Sequence, residues 1–207
     1  MRSALVRSSF VLVAIASLGL ASTAHAAGVP SPKKLTVSDP AGDALGGQKS
    51  FDVTKVTFST TGTKSGGKYT PKSLVVTLSV ATGFSKYAGA TYEVDADLAG
   101  CGYTNFTYTP GSALGDGGLF TECGSPADET GSTATLYSTP PTVTGTTVTW
   151  DFPFNALSRE FKANAVFSGI TAHTAQNDPV FGLLGPSVIG SSGNFDNAAT
   201  DASYKLA

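Results

Sequence analysis

Charged residues and cysteines are both scarce in this 207-residue chain, and each shortage excludes a class of protein. Charged residues make up 14% of the sequence, with 13 Lys and Arg against 15 Asp and Glu. Because the basic residues are few and form no basic run longer than two residues, the chain lacks the electrostatic footprint of a nucleic-acid-binding or anionic-membrane-binding protein. Long apolar runs are absent after the N-terminal segment, so the sequence predicts no transmembrane segment there.

The N-terminal segment has the pattern of a secretory signal peptide. Arg2 and Arg7 supply positive charge, residues 10–20 form an apolar run, and residues 24–26 are small or polar residues suited to cleavage. The run has about 11 residues, whereas a membrane-spanning helix needs about 20. We therefore predict that residues 1–26 are removed and that residues 27–207 form one secreted, soluble domain with a net charge of −4.

The two cysteines, Cys101 and Cys123, are predicted to form a disulfide bond. An even pair of cysteines in an exported chain is most simply a disulfide. After cleavage of the signal peptide His173 is the one remaining histidine, so the chain offers too few thiol and imidazole ligands for a four-coordinate zinc site. The spacing of the cysteines also excludes a C-x-x-C redox motif.

Alternation with a period of two residues dominates the rest of the chain, and no long stretch keeps a helical period of 3.6. Leu74, Val76, Leu78 and Val80 alternate with smaller or polar residues, and residues 148–154 repeat the pattern. We predict an all-β fold, an antiparallel two-sheet β-sandwich of roughly ten short strands, with one helical turn at residues 155–161. The phase of alternation breaks within residues 51–59, which predicts a β-bulge, and the Gly-rich residues 61–67 and 111–118 are predicted to be flexible connections.

A turn that carries two carboxylates follows the first predicted strand. Asp39 and Asp43 flank a Pro-Ala-Gly sequence, and calcium prefers hard oxygen ligands in irregular, glycine-containing loops. Two aspartates cannot supply the six to eight oxygens that calcium takes, but Asp196 and Asp201 near the other end of the chain could complete the site if the terminal strands meet. The alternative is an ordinary turn without a ligand, because Asp and Gly are favoured in turns.

Four short motifs occur at separate places along the chain: residues 36–43 with the Asp-Pro-Ala-Gly-Asp turn, residues 51–53, the strand with Asp95 and Asp97, and residues 201–204. Together they resemble the motifs of a group of exported bacterial β-sandwich proteins similar in architecture to DOMON domains and family 9 carbohydrate-binding modules. The resemblance implies a jelly-roll-like sandwich with a calcium site that joins the two termini. The pair Cys101 and Cys123 departs from this pattern, so no relative's ligand is carried over.

Glu93, Asp95 and Asp97 form a second acidic group, because residues two apart on a strand project from the same face. Three like charges on one face must be solvated, paired or bound to a metal. We predict either a second cation site or polar binding patch, or an exposed strand face bordered by Lys86 or Lys162. His173 stands alone near the end of a predicted strand and is interpreted as structural.

Aromatic residues near Cys101 provide a candidate ligand-binding surface, since sugar rings stack on exposed aromatic faces. Tyr103, Phe106 and Tyr108 are the candidates, and core packing is the alternative. No nucleophile–base pair or carboxylate pair stands out, so no catalytic residue is assigned. The sequence predicts a secreted, non-catalytic, calcium-stabilised protein that binds carbohydrate or a cell-envelope component. The alternatives are a secreted carboxylate-dependent hydrolase and a structural envelope protein without a small ligand.

Overall fold

The computed structural model describes residues 34–86, 89–111, 117–123, 133–137, 139–157, 161, 165–176 and 193–206. These residues form two antiparallel β-sheets and one 3-10 turn at Leu45–Gly47. The all-β, two-sheet sandwich predicted from the alternation pattern is therefore confirmed. Among the described residues no helix is long and apolar enough to span a membrane. The predicted signal peptide lies outside the described residues.

Sheet A has five strands. In spatial order these are β1 (Lys34–Ser38), β2 (Val53–Ser65), β3 (Lys68–Val80), β9 (Thr147–Pro153) and β8 (Thr142–Thr144). The register of β2 against β3 shifts between Val53 and Lys55, so the predicted bulge is confirmed. The prediction of a flexible connection at residues 61–67 is wrong, because β2 and β3 stay paired up to Ser65 and Lys68. Gly66 and Gly67 close this hairpin with positive φ angles, as a two-residue turn that matches strand twist requires.

Sheet B has seven strands. In spatial order these are β11 (Gly193–Thr200), β10 (Val166–Gln176), β4 (Ala90–Leu98), β5 (Gly102–Tyr108), β6 (Gly117–Cys123) and β7 (Thr133–Tyr137), with β12 (Tyr204–Lys205) beside the start of β10. Strand β11 was not among the strands predicted from the sequence. The predicted helical turn at residues 155–161 falls partly outside the described residues, and residues 154–157 form a turn.

The core lies between the two sheets and is rich in aromatic side chains. Phe58 of β2 contacts Phe106 of β5 edge-on, with ring centroids 5.8 Å apart, and Phe106 also contacts Trp150 of β9 at 6.2 Å. The Trp150 indole donates a hydrogen bond to the Thr107 carbonyl at 3.0 Å, which ties sheet A to sheet B. Burial of these large side chains supplies the main stabilisation of the sandwich.

Candidate functional site

The first strand, β1, and strand β11 of the opposite sheet meet at one edge of the sandwich. Strand β1 ends at Ser38, and the following Asp39 amide donates a hydrogen bond to the Thr54 carbonyl of β2 at 3.0 Å. Strand β11 of the opposite sheet contacts β1, β2 and the 3-10 turn. Residues far apart in sequence therefore line a common space between the loop after β1 and strand β11.

Four aspartates, Asp39, Asp43, Asp52 and Asp196, converge at this edge and are here called the aspartate cluster. Carboxylate oxygens of Asp39, Asp43 and Asp196 all lie within 4.8 Å of one another. Asp52 precedes β2 and is 1% exposed. Burial is the main cause that raises the pKa of both Asp39 and Asp196, and the negative charge of Asp52 adds to it. The structure thus brings together three of the four metal ligands predicted from the sequence.

The predicted ligand Asp201 does not join the cluster. It is exposed in the bend between β11 and β12, and it is not among the grouped carboxylates. Asp52 was missing from the predicted ligand set. Its position directly before a Val-containing strand was the sequence feature that could have identified it. Asp196 reaches the cluster from strand β11.

Backbone amides orient two of the carboxylates. The Gly42 amide donates to Asp52 Oδ2 at 2.6 Å. Asp196 accepts hydrogen bonds from the amides of Val53 and Asn197 through different oxygens. Amide donors that fix a carboxylate in this way are typical of the groups that surround metal ligands.

The cluster is short of positive charge. Among the described residues no Lys or Arg forms an ion pair with any of these four carboxylates. Burial, followed by the charges of Asp196, Asp43 and Asp52, raises the pKa of Asp39 to about 6. Burial also raises the pKa of Asp196, although the two backbone amides oppose this shift. Two buried oxygens, Asp39 Oδ2 and Asp52 Oδ1, have no hydrogen-bond partner among the described residues.

A second polar group lies on the solvent-facing side of sheet B and is here called the histidine cluster. His173 of β10 lies between two residues of β4, with Nε2 2.7 Å from Glu93 Oε2 and Nδ1 3.2 Å from Asp95 Oδ2. Tyr103 and Asn105 of β5 each donate a hydrogen bond to Asp95 Oδ1 at 2.7 Å. The cluster therefore spans three adjacent strands.

The charges of the histidine cluster are mutually stabilising. Hydrogen bonds to Asp95 and Glu93 raise the pKa of His173 to about 10. Burial would raise the pKa of Asp95, but hydrogen bonds from His173, Asn105 and Tyr103 lower it below its ordinary value. Both ring nitrogens are engaged, so a metal ion bound here would have to replace one of the two ion pairs.

The predicted acidic face is therefore divided. Glu93 and Asp95 pair with His173, whereas Asp97 is exposed and lies over the bulge of β10, where a Cβ at Gly169 would be 3.2 Å from Asp97 Oδ2. Lys86, proposed to border this face, forms no ion pair with a described residue, and Lys162 lies outside the described residues. The pairing partner His173 was missed because sequence alone does not give the register of β10 against β4.

Two of the three predicted binding aromatics belong to the core, which corrects the prediction of an aromatic surface. Phe106 is 0% exposed and Tyr108 is 8% exposed, since even-numbered residues of β5 face sheet A. Tyr103 is 42% exposed and lies on the solvent side, beside Asp95. The available surface therefore consists of one aromatic ring and a polar network.

Cys101 lies in the turn between β4 and β5 and is buried. Thr104 of β5 pairs with Thr121 of β6. Cys101 therefore lies near the end of the β5–β6 pair where Cys123, the last residue of β6, is located. The side chain of Cys123 is outside the described part of the structure, so the disulfide stays a prediction.

A comparison of the chain with known protein families, curated proteins and solved structures finds no match. The chemistry of the two clusters is therefore the basis for assigning a function.

Proposed function

We propose that this protein is a secreted, non-catalytic β-sandwich that binds a calcium ion at the aspartate cluster and a carbohydrate or other cell-envelope component at its surface. The observation that carries the calcium site is the convergence of Asp39, Asp43 and Asp196 within 4.8 Å. Like charges at this separation repel each other strongly in a partly buried site. A divalent cation would offset that repulsion and bind the free oxygens.

Calcium fits this donor set better than magnesium or zinc. The ligands are carboxylates from the irregular segment between β1 and β2 and from strand β11 of the opposite sheet, and calcium accepts six to eight oxygens in flexible geometry. Magnesium demands near-octahedral geometry at shorter distances, and zinc favours nitrogen and sulfur donors. The unpartnered oxygens of Asp39 and Asp52 add to the available ligands.

The position of the site gives the ion a structural role. Asp39 and Asp43 belong to the loop after β1, Asp52 precedes β2, and Asp196 belongs to β11 of the opposite sheet. An ion held by these residues would connect the two sheets at the edge where β1 and β11 meet. Calcium would therefore stabilise the sandwich rather than activate a substrate.

Thermal unfolding with calcium or with a chelator tests this proposal. At a calcium concentration 100-fold above Kd, binding stabilises the fold by about 2.7 kcal/mol, and about 2–4 °C per kcal/mol is typical for a domain of this size. We therefore expect calcium to raise Tm by about 5–10 °C. Asp201→Asn, outside the cluster, should keep this shift, and an unchanged Tm in the unsubstituted protein would disprove the site.

The disulfide is part of the same proposal, because an oxidising compartment preserves such bonds. Cys101→Ser should lower stability by about 3 kcal/mol, as expected for a loop of about 20 residues. Non-reducing peptide mass spectrometry should detect Cys101 linked to Cys123. Detection of two free thiols in protein purified from the culture medium would contradict the disulfide.

A polar surface around Tyr103 supports the ligand-binding part of the proposal. The exposed ring lies beside Asp95, and carboxylate, amide and imidazole groups are partners for sugar hydroxyls.

The alternative function is a carboxylate-dependent hydrolase. Its candidate carboxylates here are Glu93 and Asp95, which both pair with the imidazole of His173. Retention on a polysaccharide without release of reducing sugar favours binding, release of reducing sugar favours hydrolysis, and neither response favours a structural envelope protein.

A further inference from the structure

The lysines of this acidic protein are distributed unevenly along the chain. Lys55, Lys64, Lys68, Lys72 and Lys86 all lie between Asp52 and Glu93, and no acidic residue occurs between those two positions. These lysines are separated in the sequence. The pairing of β2 with β3 brings Lys64, Lys68 and Lys72 together in one hairpin.

That unit is the distal part of the β2–β3 hairpin, residues 61–72, here called the basic ribbon. Burial ends at Thr60 on β2 and begins again at Leu74 on β3, so the ribbon extends past the core. Lys64, Lys68 and Lys72 are all exposed, and none of them forms an ion pair with a described residue. The ribbon thus presents three positive charges with no acidic side chain of its own.

The basic ribbon is held in a fixed shape. Tyr69 packs across Gly62, where an added Cβ would lie 2.7 Å from the ring, and its hydroxyl donates to the Thr60 carbonyl at 2.9 Å. The Gly66–Gly67 turn closes the end. A pre-organised surface loses less conformational entropy on binding than a flexible loop does.

We propose that the basic ribbon binds a linear phosphodiester polymer of the cell envelope, of the poly(glycerol phosphate) type. Lysine ammonium groups bind phosphate as point charges, without the planar geometry that arginine imposes. Exposed hydroxyls of Thr63, Ser65 and Thr70 add hydrogen-bond donors along the ribbon. This inference rests on the proposed function, because it names the class of envelope component that the protein binds.

Nucleic acid fits the ribbon less well than a polymer without bases. Proteins that bind single strands stack bases on exposed aromatic side chains. Tyr69 is the one aromatic residue of the ribbon, and its ring already covers Gly62. Recognition therefore depends on the charges of the polymer backbone.

Binding of calcium-loaded protein to immobilised poly(glycerol phosphate), measured over a series of NaCl concentrations, tests the proposal. We expect Kd to rise with salt, with a log–log slope of about 2–3 for three phosphate contacts. The triple variant Lys64→Gln, Lys68→Gln, Lys72→Gln should weaken binding by at least about tenfold. The matched variant Lys49→Gln, Lys86→Gln, Lys205→Gln changes net charge equally at exposed sites and should stay within about twofold of the unsubstituted protein.

Salt-independent binding, no binding, or equal losses in the two triple variants would overturn the proposal. Tighter binding to poly-glutamate or to single-stranded DNA would overturn the assignment to a base-free phosphate polymer. Tm of each variant in calcium shows that it is folded. Asp196→Asn should lose the calcium response while retaining polymer binding, so failure of the calcium site and failure of the ribbon are separable results.

Discussion

At the scale of single residues, Asp196 combines two kinds of interaction. Its oxygens accept hydrogen bonds from the amides of Val53 and Asn197, which would hold the carboxylate in place without a cation. The same carboxylate lies within 4.8 Å of Asp39 and Asp43, where it repels them. Hydrogen bonds therefore fix this carboxylate in position although neighbouring negative charges repel it.

Asp43 is the exposed member of the aspartate cluster. Its substitution distinguishes the repulsion between carboxylates from their proposed role as calcium ligands. In chelator, Asp43→Asn removes a repulsive charge, and we expect Tm to rise by about 2–4 °C for about 1 kcal/mol. In calcium the same variant loses a ligand and should show a smaller calcium-induced increase in Tm. An equal decrease of Tm in chelator and in calcium would mean that Asp43 stabilises the turn and does not bind the ion.

His173 gives a prediction for the pH dependence of stability. Its pKa is raised in the folded state to about 10 from an ordinary value of 6.5. The imidazolium therefore contributes stability fully below about pH 6.5, and this contribution is lost as pH rises toward about 10. Urea unfolding of the unsubstituted protein and of His173→Gln should show a difference of about 1.5–3 kcal/mol at pH 6, which narrows at pH 10. A constant difference would exclude a role for the charge.

At the scale of elements, the β2–β3 hairpin depends on a glycine whose neighbours leave no room for a side chain. A Cβ at Gly62 would meet the Thr70 carbonyl oxygen at 2.3 Å and the Tyr69 ring at 2.7 Å. We expect Gly62→Ala to displace Tyr69 and to lower stability by about 1–3 kcal/mol. Gly83→Ala is the control, since a Cβ there meets nothing within 4 Å. Equal stability of the two variants would contradict this packing.

Strands with strong apolar alternation were predictable from sequence, and those with polar composition were not. The pattern of Leu74 and Val76 identifies β3, and that of Trp150 and Phe152 identifies β9. Strand β11 was missed because Asn, Asp and Ala give it no apolar period. In β5 the alternation was visible, but polar residues occur on both faces of the strand, so the sequence did not show that Phe106 points into the core.

At the scale of the whole molecule, sites depend on contacts that the sequence does not encode locally. The turn with Asp39 and Asp43 was recognisable from its residues, since both aspartates lie in one short motif. Their meeting with Asp196 depends on how β11 packs against β1 and β2 of the other sheet. The pairing of His173 with Glu93 depends in turn on the register of β10 against β4.

The separation of the aspartates along the chain also sets an order in time. Val53 and Asp196, which share a hydrogen bond, lie 143 residues apart. Ribosomes deliver the loop of Asp39 early and strand β11 late, so the proposed cation site cannot be completed until β11 has been synthesised and β10 is available for pairing. Ion binding at this edge would therefore be among the last steps of folding.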